Sequence, residues 1–384
     1  MSKSKEYKTG HFSQGLHGGE IYKAAEAIGL KPAQILDFSS NTNIFARSLT
    51  EEILEKSSGA WLNYPEADAA SLKKAVARYE GVDTESVGLG NGSADLIWRF
   101  FQDAAPRSIL FIGPVFSEYI RAAEALGIRY SILTPPAEAE FALGEAELRK
   151  LWDSQAELCV ICTPNNPGGI TYENIGAIFA ALRTPRVLVD LSYREFLGGT
   201  PFYAANHWNN YSRMRAPGMN IFCLHSFTKF FCCPGLRLGY LVGDALHVKS
   251  INSRMPSWTV SGQAQEAGLR FLNKAEDYKA TLAPLRAARY AFGAELRRQP
   301  VFEPDLVLEG PNFFCCGLAE NSPGALLSRN GSRLKAAALQ NFLLKHKILV
   351  RDCDNIPGMP PGFVRIQVRG EEDNERLLHA LRKA

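Results

Sequence analysis

Residues His225–Tyr240 read H-S-F-T-K-F-F-C-C-P-G-L-R-L-G-Y. A single lysine, Lys229, sits among apolar residues and small hydroxyls, with Arg237 eight positions further on. An ammonium is strongly hydrated, so its placement beside Phe230, Phe231, Cys232 and Cys233 calls for a bonding partner. The stretch begins where a short apolar run ends, N-I-F-C-L at 220–224. Comparable runs occur at 108–112 (S-I-L-F-I), 158–162 (L-C-V-I-C) and 186–190 (R-V-L-V-D). Each of these three is followed by turn residues and, further on, by a helical pattern. This alternation predicts an α/β fold whose large domain is a mostly parallel sheet flanked by helices. Ligands of such sheets sit at the carboxyl ends of the strands. Asn165–Asn166, Asp190 and Lys229 all fall there.

Upstream, D-A-A-S-L-K-K-A-V-A-R-Y-E-G has helical spacing and stops on Gly81. Downstream the texture changes after about residue 250. A helical pattern covers 259–299, broken at most by Pro284. Strands are expected at 312–318 and 363–369, with helices at 333–347 and from Glu371. These segments predict a smaller α+β domain, against which the N-terminal helix E-I-Y-K-A-A-E-A-I-G-L should pack. The expected division is a large domain at 45–255 and a small one built from 1–44 and 256–384. The segment 201–220 lacks periodicity and reads as a long surface excursion.

At 384 residues the chain exceeds the usual single-core limit. Its net charge of +3 is nearly balanced, and no basic block is interleaved with aromatics, which argues against nucleic acid or an anionic membrane as partner. No apolar run reaches membrane-spanning length and no apolar segment follows the basic start, so the cytoplasm is the expected compartment. Eight cysteines raise the question of metal. Cys159 and Cys162 lie three apart on a strand and point to opposite faces, and no second ligand pair completes a zinc set. No metal site is expected; the cysteines read as reduced core thiols.

Taken singly, the strand-end residues are ambiguous. G-L-G-N-G-S-A-D-L-I passes from strand through a glycine turn into a helix near Ser93, a place where backbone N–H groups can bind phosphate. Asp190 could cap a helix or ligate a metal, Tyr193 could be structural, and Asn166 before Pro167 is an ordinary turn residue. Their order and spacing, however, resemble the fold-type I pyridoxal-phosphate enzymes, the aspartate aminotransferase superfamily, over nearly the whole chain. S-F-T-K (Ser226–Lys229) with Arg237 resembles that superfamily's Schiff-base lysine and two phosphate ligands. T-P-N-N-P-G-G at 163–169 is similar to its N-P-x-N-P-T-G loop, and D-L-S-Y at 190–193 to its D-x-x-Y.

The resemblance implies a role for each residue. Lys229 would bond the cofactor and then act as general acid and base. Asp190 would keep the pyridine nitrogen protonated, making the ring an electron sink. Asn166 and Tyr193 would donate to the ring oxygen, and Phe116 would stack on the ring. Gly92, Ser93, Ser226 and Arg237 would hold the phosphate. Tyr64, in W-L-N-Y-P-E, matches a tyrosine that reaches the cofactor of a neighbouring subunit, so a homodimer with active sites at its interface is implied.

Within the superfamily, H-G-G-E-I-Y at the N-terminus, L-D-F-S-S-N-T-N at 36–43, I-L-V-R-D-C at 348–353 and F-V-R-I-Q-V-R at 363–369 resemble threonine-phosphate decarboxylases of the cobalamin pathway. His17, Arg351 and Arg365 would then bind a phosphorylated small amino acid, threonine phosphate or serine phosphate. Arginine's planar fork suits both its phosphate and its carboxylate. Arg369, four residues beyond Arg365, reads as a surface residue paired with Glu371 or Glu372. The implied product is an amino-alcohol phosphate. An aminotransferase of the histidinol-phosphate type is the alternative enzyme, and a catalytically silent binding protein the alternative of another class. The first two differ in which bond at Cα stands perpendicular to the cofactor ring, and sequence does not display that orientation.

Overall fold

The computed structural model describes residues 18–198, 207–319 and 336–384. Two compact units are present. The larger comprises Thr42–Asn166 and Ile170–Pro284; the smaller comprises residues up to Asn41, Pro167–Gly169 and Leu285–Ala384. These limits differ from the expected 45–255 division, because the helix Gly262–Asn273 stays with the larger unit. It packs on the helix Ala70–Glu80 so closely that a Cβ on Gly268 would meet Leu72 at 3.0 Å.

Strand β1 (Leu36–Asp37) belongs to the smaller unit. The larger unit supplies β2 (Val87–Gly90), β3 (Ser108–Ile112), β4 (Arg129–Leu133), β5 (Leu158–Cys162), β6 (Arg186–Asp190), β7 (Asn220–Ser226) and β8 (Gly239–Val242). The smaller unit resumes with β9 (Phe302–Glu309), β10 (Phe313–Leu318), β11 (Ile348–Leu349), β12 (Arg351–Asp352) and β13 (Phe363–Gln367).

The seven strands of the larger unit form one sheet in the order β2-β8-β7-β6-β5-β3-β4. Only β8 runs antiparallel to its neighbours; the remaining pairs are parallel. Helices cover both faces, which is why β6 is a nearly unbroken apolar run rather than an alternating one. Val187, Leu188 and Val189 are fully buried. Each stabilises the fold by roughly 1.5–3 kcal/mol relative to exposure. One core cluster joins Phe100, Phe101 and Phe111 to Leu188, Phe222 and Leu241.

In the smaller unit four antiparallel strands follow the order β12-β13-β10-β9, and β1 pairs in parallel with β11. The N-terminal helix Ile21–Ala27 packs there as expected, with Ala24 and Ala25 against Leu344 and Leu349.

Several local expectations change. The 259–299 pattern is three helices, Gly262–Asn273, Ala275–Ala280 and Leu282–Arg297, broken at Lys274 and Thr281. Pro284 does not break it, because it lies in the first turn of the third helix, where no N–H is needed. The 201–220 segment contains a helix, His207–Met214, anchored by Tyr211, which packs edge-on against Phe179 at 5.7 Å; residues 201–206 lie outside the described residues. Arg369 is half-buried rather than on the surface, because it donates to the Asp37 carbonyl at 3.0 Å. From two residues before the closing helix it pairs with Asp373 in that helix's first turn at 2.9 Å instead of Glu371 or Glu372. No helix among the described residues is long and apolar enough to cross a membrane.

Candidate active site

The carboxyl ends of β2, β5, β6 and β7 carry most of the residues singled out in the sequence. Where β2 ends, the helix Gly92–Ala104 begins, and Gly92 has φ +81°. A Cβ on Gly92 would lie 2.4 Å from Arg237 Nη2. A Cβ on Gly239 would lie 2.7 Å from the Ser93 backbone nitrogen and 2.9 Å from the His225 carbonyl oxygen. Glycine at both positions therefore brings a helix N-terminus and a guanidinium together over bare backbone, a cradle suited to a phosphate. The acidic side chain of that first turn, Asp95, is engaged with Arg99 at 2.7 Å.

Register brings the other phosphate candidate alongside. Gly90 and Ser226 are both Cα partners of Gly239, so the three lie in a row across β2, β8 and β7. Ser226 caps the short helix Phe227–Phe230 by accepting from the Thr228 N–H at 3.3 Å, which leaves its hydroxyl proton to donate. Arg237 is exposed, has φ +56°, and donates to the Pro234 carbonyl at 3.2 Å.

Lys229 lies half-buried on that short helix, and its carbonyl accepts from the Asn43 N–H at 2.8 Å. The apolar residues around it form an aromatic wall. Phe231 stacks on Phe271 at 5.1 Å and meets Tyr278 edge-on at 4.8 Å, and Phe230 meets Phe196 edge-on at 5.6 Å.

Asp190 ends β6 and is 6% exposed. Its Oδ1 accepts from the Ser192 N–H at 2.9 Å, and its Oδ2 from the Tyr119 hydroxyl at 2.9 Å. Burial pushes this carboxyl above its ordinary value; the bonds from Ser192 and Tyr119 and the charge of Lys229 oppose that rise. A cationic N–H brought to this carboxylate would complete the compensation. Phe116, half-buried at the N-terminus of the helix Ser117–Ala125, meets Tyr119 at 6.2 Å and 88°. Tyr193 is buried immediately before the 3₁₀ turn Arg194–Leu197. The two asparagines divide. Asn165 is fully buried and shapes the loop, donating from Nδ2 to the Pro114 carbonyl at 3.0 Å, whereas Asn166 is half-buried.

The donor set of the larger unit fits pyridoxal phosphate. It offers a cradle for the phosphate, a buried carboxylate for the ring nitrogen, an amine for the aldehyde and an aromatic ring for the face. Tyr119 was not anticipated. Its only sequence signal is its place one helical turn after Phe116 in G-P-V-F-S-E-Y.

Tyr64 lies apart from this group in surface character, 85% exposed and 5.2 Å from the ring of Trp258. In the smaller unit, Arg351 and Arg365 are buried side by side as Cα partners on β12 and β13. Arg351 donates to Asn355 Oδ1 at 2.6 Å and Arg365 to the Ser39 carbonyl at 2.6 Å. Burial pushes the Arg351 guanidinium down to about 10, and the charge of Arg365 adds to the effect. A Cβ on Gly18 would lie 2.3 Å from the Ser39 carbonyl oxygen and 3.0 Å from Arg365 Nη2, so glycine is needed beside this arginine. His17 lies outside the described residues.

Comparison with known proteins agrees with this geometry. A family model described as aminotransferase class I and II matches residues 33–381. A threonine-phosphate decarboxylase of Salmonella typhimurium is 30% identical over 370 residues, 95% of each chain. A histidinol-phosphate aminotransferase of Methanothermobacter thermautotrophicus is 26% identical over 377 residues, covering 95% of this chain and 92% of that one. Among solved structures, the histidinol-phosphate aminotransferase from Clostridium acetobutylicum superposes with a TM-score of 0.74 at 23% identity, covering 90% of this chain and 98% of that chain.

Proposed function

The chain belongs to the class I and II aminotransferases, whose cofactor is pyridoxal phosphate, and from this premise we propose that it decarboxylates an O-phospho-amino acid. Threonine phosphate is the first candidate substrate and serine phosphate the second; the product is an amino-alcohol phosphate of the kind a corrinoid side chain uses. The observation that carries the reading is the buried pair Arg351 and Arg365. Two guanidiniums side by side offer two planar forks to a dianionic substrate, whose charge would offset the burial and the Arg365 charge that disfavour the Arg351 cation. The threonine-phosphate decarboxylase relative, 30% identical over 95% of its length, supports the same choice.

The bound cofactor supplies an electron-withdrawing ring and an aldehyde carbon to the substrate amine. Gly92, Ser93, Ser226 and Arg237 hold its phosphate. Asp190 holds the proton at the ring nitrogen, with Tyr119 and Ser192 keeping the carboxylate ionised. Asn166 and Tyr193 donate to the ring oxygen, and Phe116 covers the ring face. Lys229 Nζ would deliver the proton that Cα gains when the substrate carboxylate leaves as carbon dioxide. Arg351 and Arg365, with His17, orient the anionic groups of the substrate. Tyr64 serves a second copy of the chain. Trp61, Leu62 and Tyr64 are 71%, 90% and 85% exposed, an apolar edge that a homodimer would cover.

The test is to incubate the holoenzyme separately with threonine phosphate, serine phosphate and histidinol phosphate, with and without 2-oxoglutarate, and to follow carbon dioxide and amine. Carbon dioxide from threonine phosphate without a keto acid is expected. Turnover only with 2-oxoglutarate would replace this reading with the histidinol-phosphate aminotransferase type, which the 26% identical relative favours.

A further inference from the structure

Behind the cofactor candidates lies a buried ionic cluster that the chemistry above does not use. Glu80, the last residue of the helix Ala70–Glu80, is 2% exposed, and Arg194 is 4% exposed. They form a two-pronged pair, Arg194 Nη2 to Glu80 Oε1 at 2.8 Å and Nη1 to Oε2 at 3.1 Å. Tyr240 donates its hydroxyl proton to the same Glu80 Oε1 at 2.5 Å. The Tyr240 ring lies flat on His225, with centroids 4.4 Å apart and planes 8° from parallel. Glu195 accepts from Arg194 Nε at 3.1 Å and from the Tyr79 hydroxyl at 2.9 Å.

Burial opposes ionisation of Glu80, but Arg194, His225 and the bond from Tyr240 outweigh it and hold the carboxyl well below its usual range. The same cluster raises the phenols of Tyr240 and Tyr79, burial first and the carboxylates second. Cys223 on β7 also lies within its electrostatic reach.

The position of this cluster in the chain is what matters. Arg194 directly follows Tyr193, and His225 directly precedes Ser226. One carboxylate, Glu80, therefore ties together two backbone segments, the turn after β6 that carries Tyr193 and the end of β7 that carries Ser226, each a proposed cofactor contact. Buried ion pairs add little net stability over an apolar replacement, whereas they specify geometry through their bond directions.

We infer that Glu80, through Arg194 and Tyr240, is a positioning residue that sets Tyr193 and Ser226 for the cofactor. The inference rests on Tyr193 being a cofactor contact, as proposed above. Moving Tyr193 changes the hydrogen bond to the ring oxygen, and with it the pH at which the visible band of the bound cofactor changes.

The experiment uses the holoenzyme and its Glu80→Gln, Tyr240→Phe, Tyr193→Phe and Glu80→Gln/Tyr193→Phe variants. It reads the cofactor dissociation constant, the pH midpoint of the visible band and the apoprotein melting temperature. Glu80→Gln should weaken cofactor binding about 10-fold, as expected for coupled neighbours, and should move the midpoint. Tyr240→Phe, which keeps the ring on His225, should do the same to a smaller extent and serves if Glu80→Gln does not fold. In the Tyr193→Phe background Glu80→Gln should add no further midpoint shift. A lowered melting temperature with midpoint and affinity unchanged, or an equal added shift in the double variant, overturns the inference. An unmoved midpoint in Tyr193→Phe alone overturns the Tyr193 contact and this inference with it, without touching the decarboxylase reading.

Discussion

Tyr119 donates its hydroxyl proton to Asp190 Oδ2 at 2.9 Å, between two buried side chains that are 71 positions apart in the chain. The bond stabilises the ionised carboxylate where burial disfavours it. Tyr119→Phe keeps the ring packing on Phe101 and Phe111 and removes only the donor. A hydrogen bond to a charged group is worth about 1.5–3 kcal/mol, so cofactor affinity should fall at least about 10-fold. Fluorescence titration of the apoprotein with pyridoxal phosphate measures this; unchanged affinity would remove Tyr119 from the site.

Asp190 also makes a stability prediction of definite sign. Its carboxyl is raised by burial in the folded apoprotein above the ordinary 3.8, so the stability it contributes is full below that pH and is lost as pH rises through the folded value. Asp190→Asn mimics the neutral form. The variant apoprotein should melt higher than the parent at neutral pH, a gap that closes in acid. Its cofactor affinity should fall sharply, because an amide cannot hold the ring nitrogen protonated. Calorimetry of the two apoproteins across this range decides the sign.

The contrast between Lys229 and Tyr119 shows what could be read before the fold was known. Lys229, Asp190 and Asn166 follow short apolar runs, and the turn after a parallel strand faces the ligand end of the sheet, so linear position sufficed. Tyr119 depends on the helix Ser117–Ala125 carrying a side chain one turn beyond Phe116 to Asp190 at the end of β6, a tertiary event without a local signal. The same holds for Glu80 and Arg194. Strand β4, R-Y-S-I-L, has no clear signal in the sequence because it is an edge strand whose first three residues are exposed, and β8 has none because its G-Y-L-V merges with the lysine motif. The breaks at Lys274 and Thr281 were hidden by helical periodicity that continues across them. Arg351 and Arg365 each stood out by resemblance, but their adjacency comes from the β12–β13 register.

Gly92→Ala tests the phosphate cradle by crowding it. The new methyl would approach Arg237 Nη2 to 2.4 Å, and a side chain at φ +81° is strained as well. The strain is worth about 1–2 kcal/mol. Arg237 must withdraw, so pyridoxal phosphate should bind at least about 10-fold more weakly while pyridoxal without phosphate binds as before. Equal losses for the two ligands would show that the methyl disturbs something other than the phosphate site.

Arg351 tests the substrate side separately from the cofactor. Arg351→Lys keeps a charge but loses the planar fork that reaches Asn355. Substrate KM should rise about 10-fold, and Arg351→Ala should raise it about 100-fold, with the visible cofactor band intact in both. Lys229→Ala should do the reverse, abolishing the visible band while the protein still binds the phospho-amino acid. Loss of cofactor from the Arg351 variants, read by absorbance after gel filtration, would move this arginine out of the substrate site.

The last expectation concerns acid. Glu80 has a folded value far below its ordinary 4.5, the opposite case to Asp190. Its stabilisation is present above about 4.5 and is lost as pH falls from there toward the folded value, because the unfolded chain takes up the proton first. At neutral pH Glu80→Gln breaks a buried pair and should cost about 3 kcal/mol. Below pH 4.5 the parent loses the same contribution by protonation, while the glutamine variant has none to lose. The urea midpoints of the two proteins should therefore converge between neutral pH and about pH 3, and curves that stay parallel would show that Arg194 does not hold Glu80 ionised.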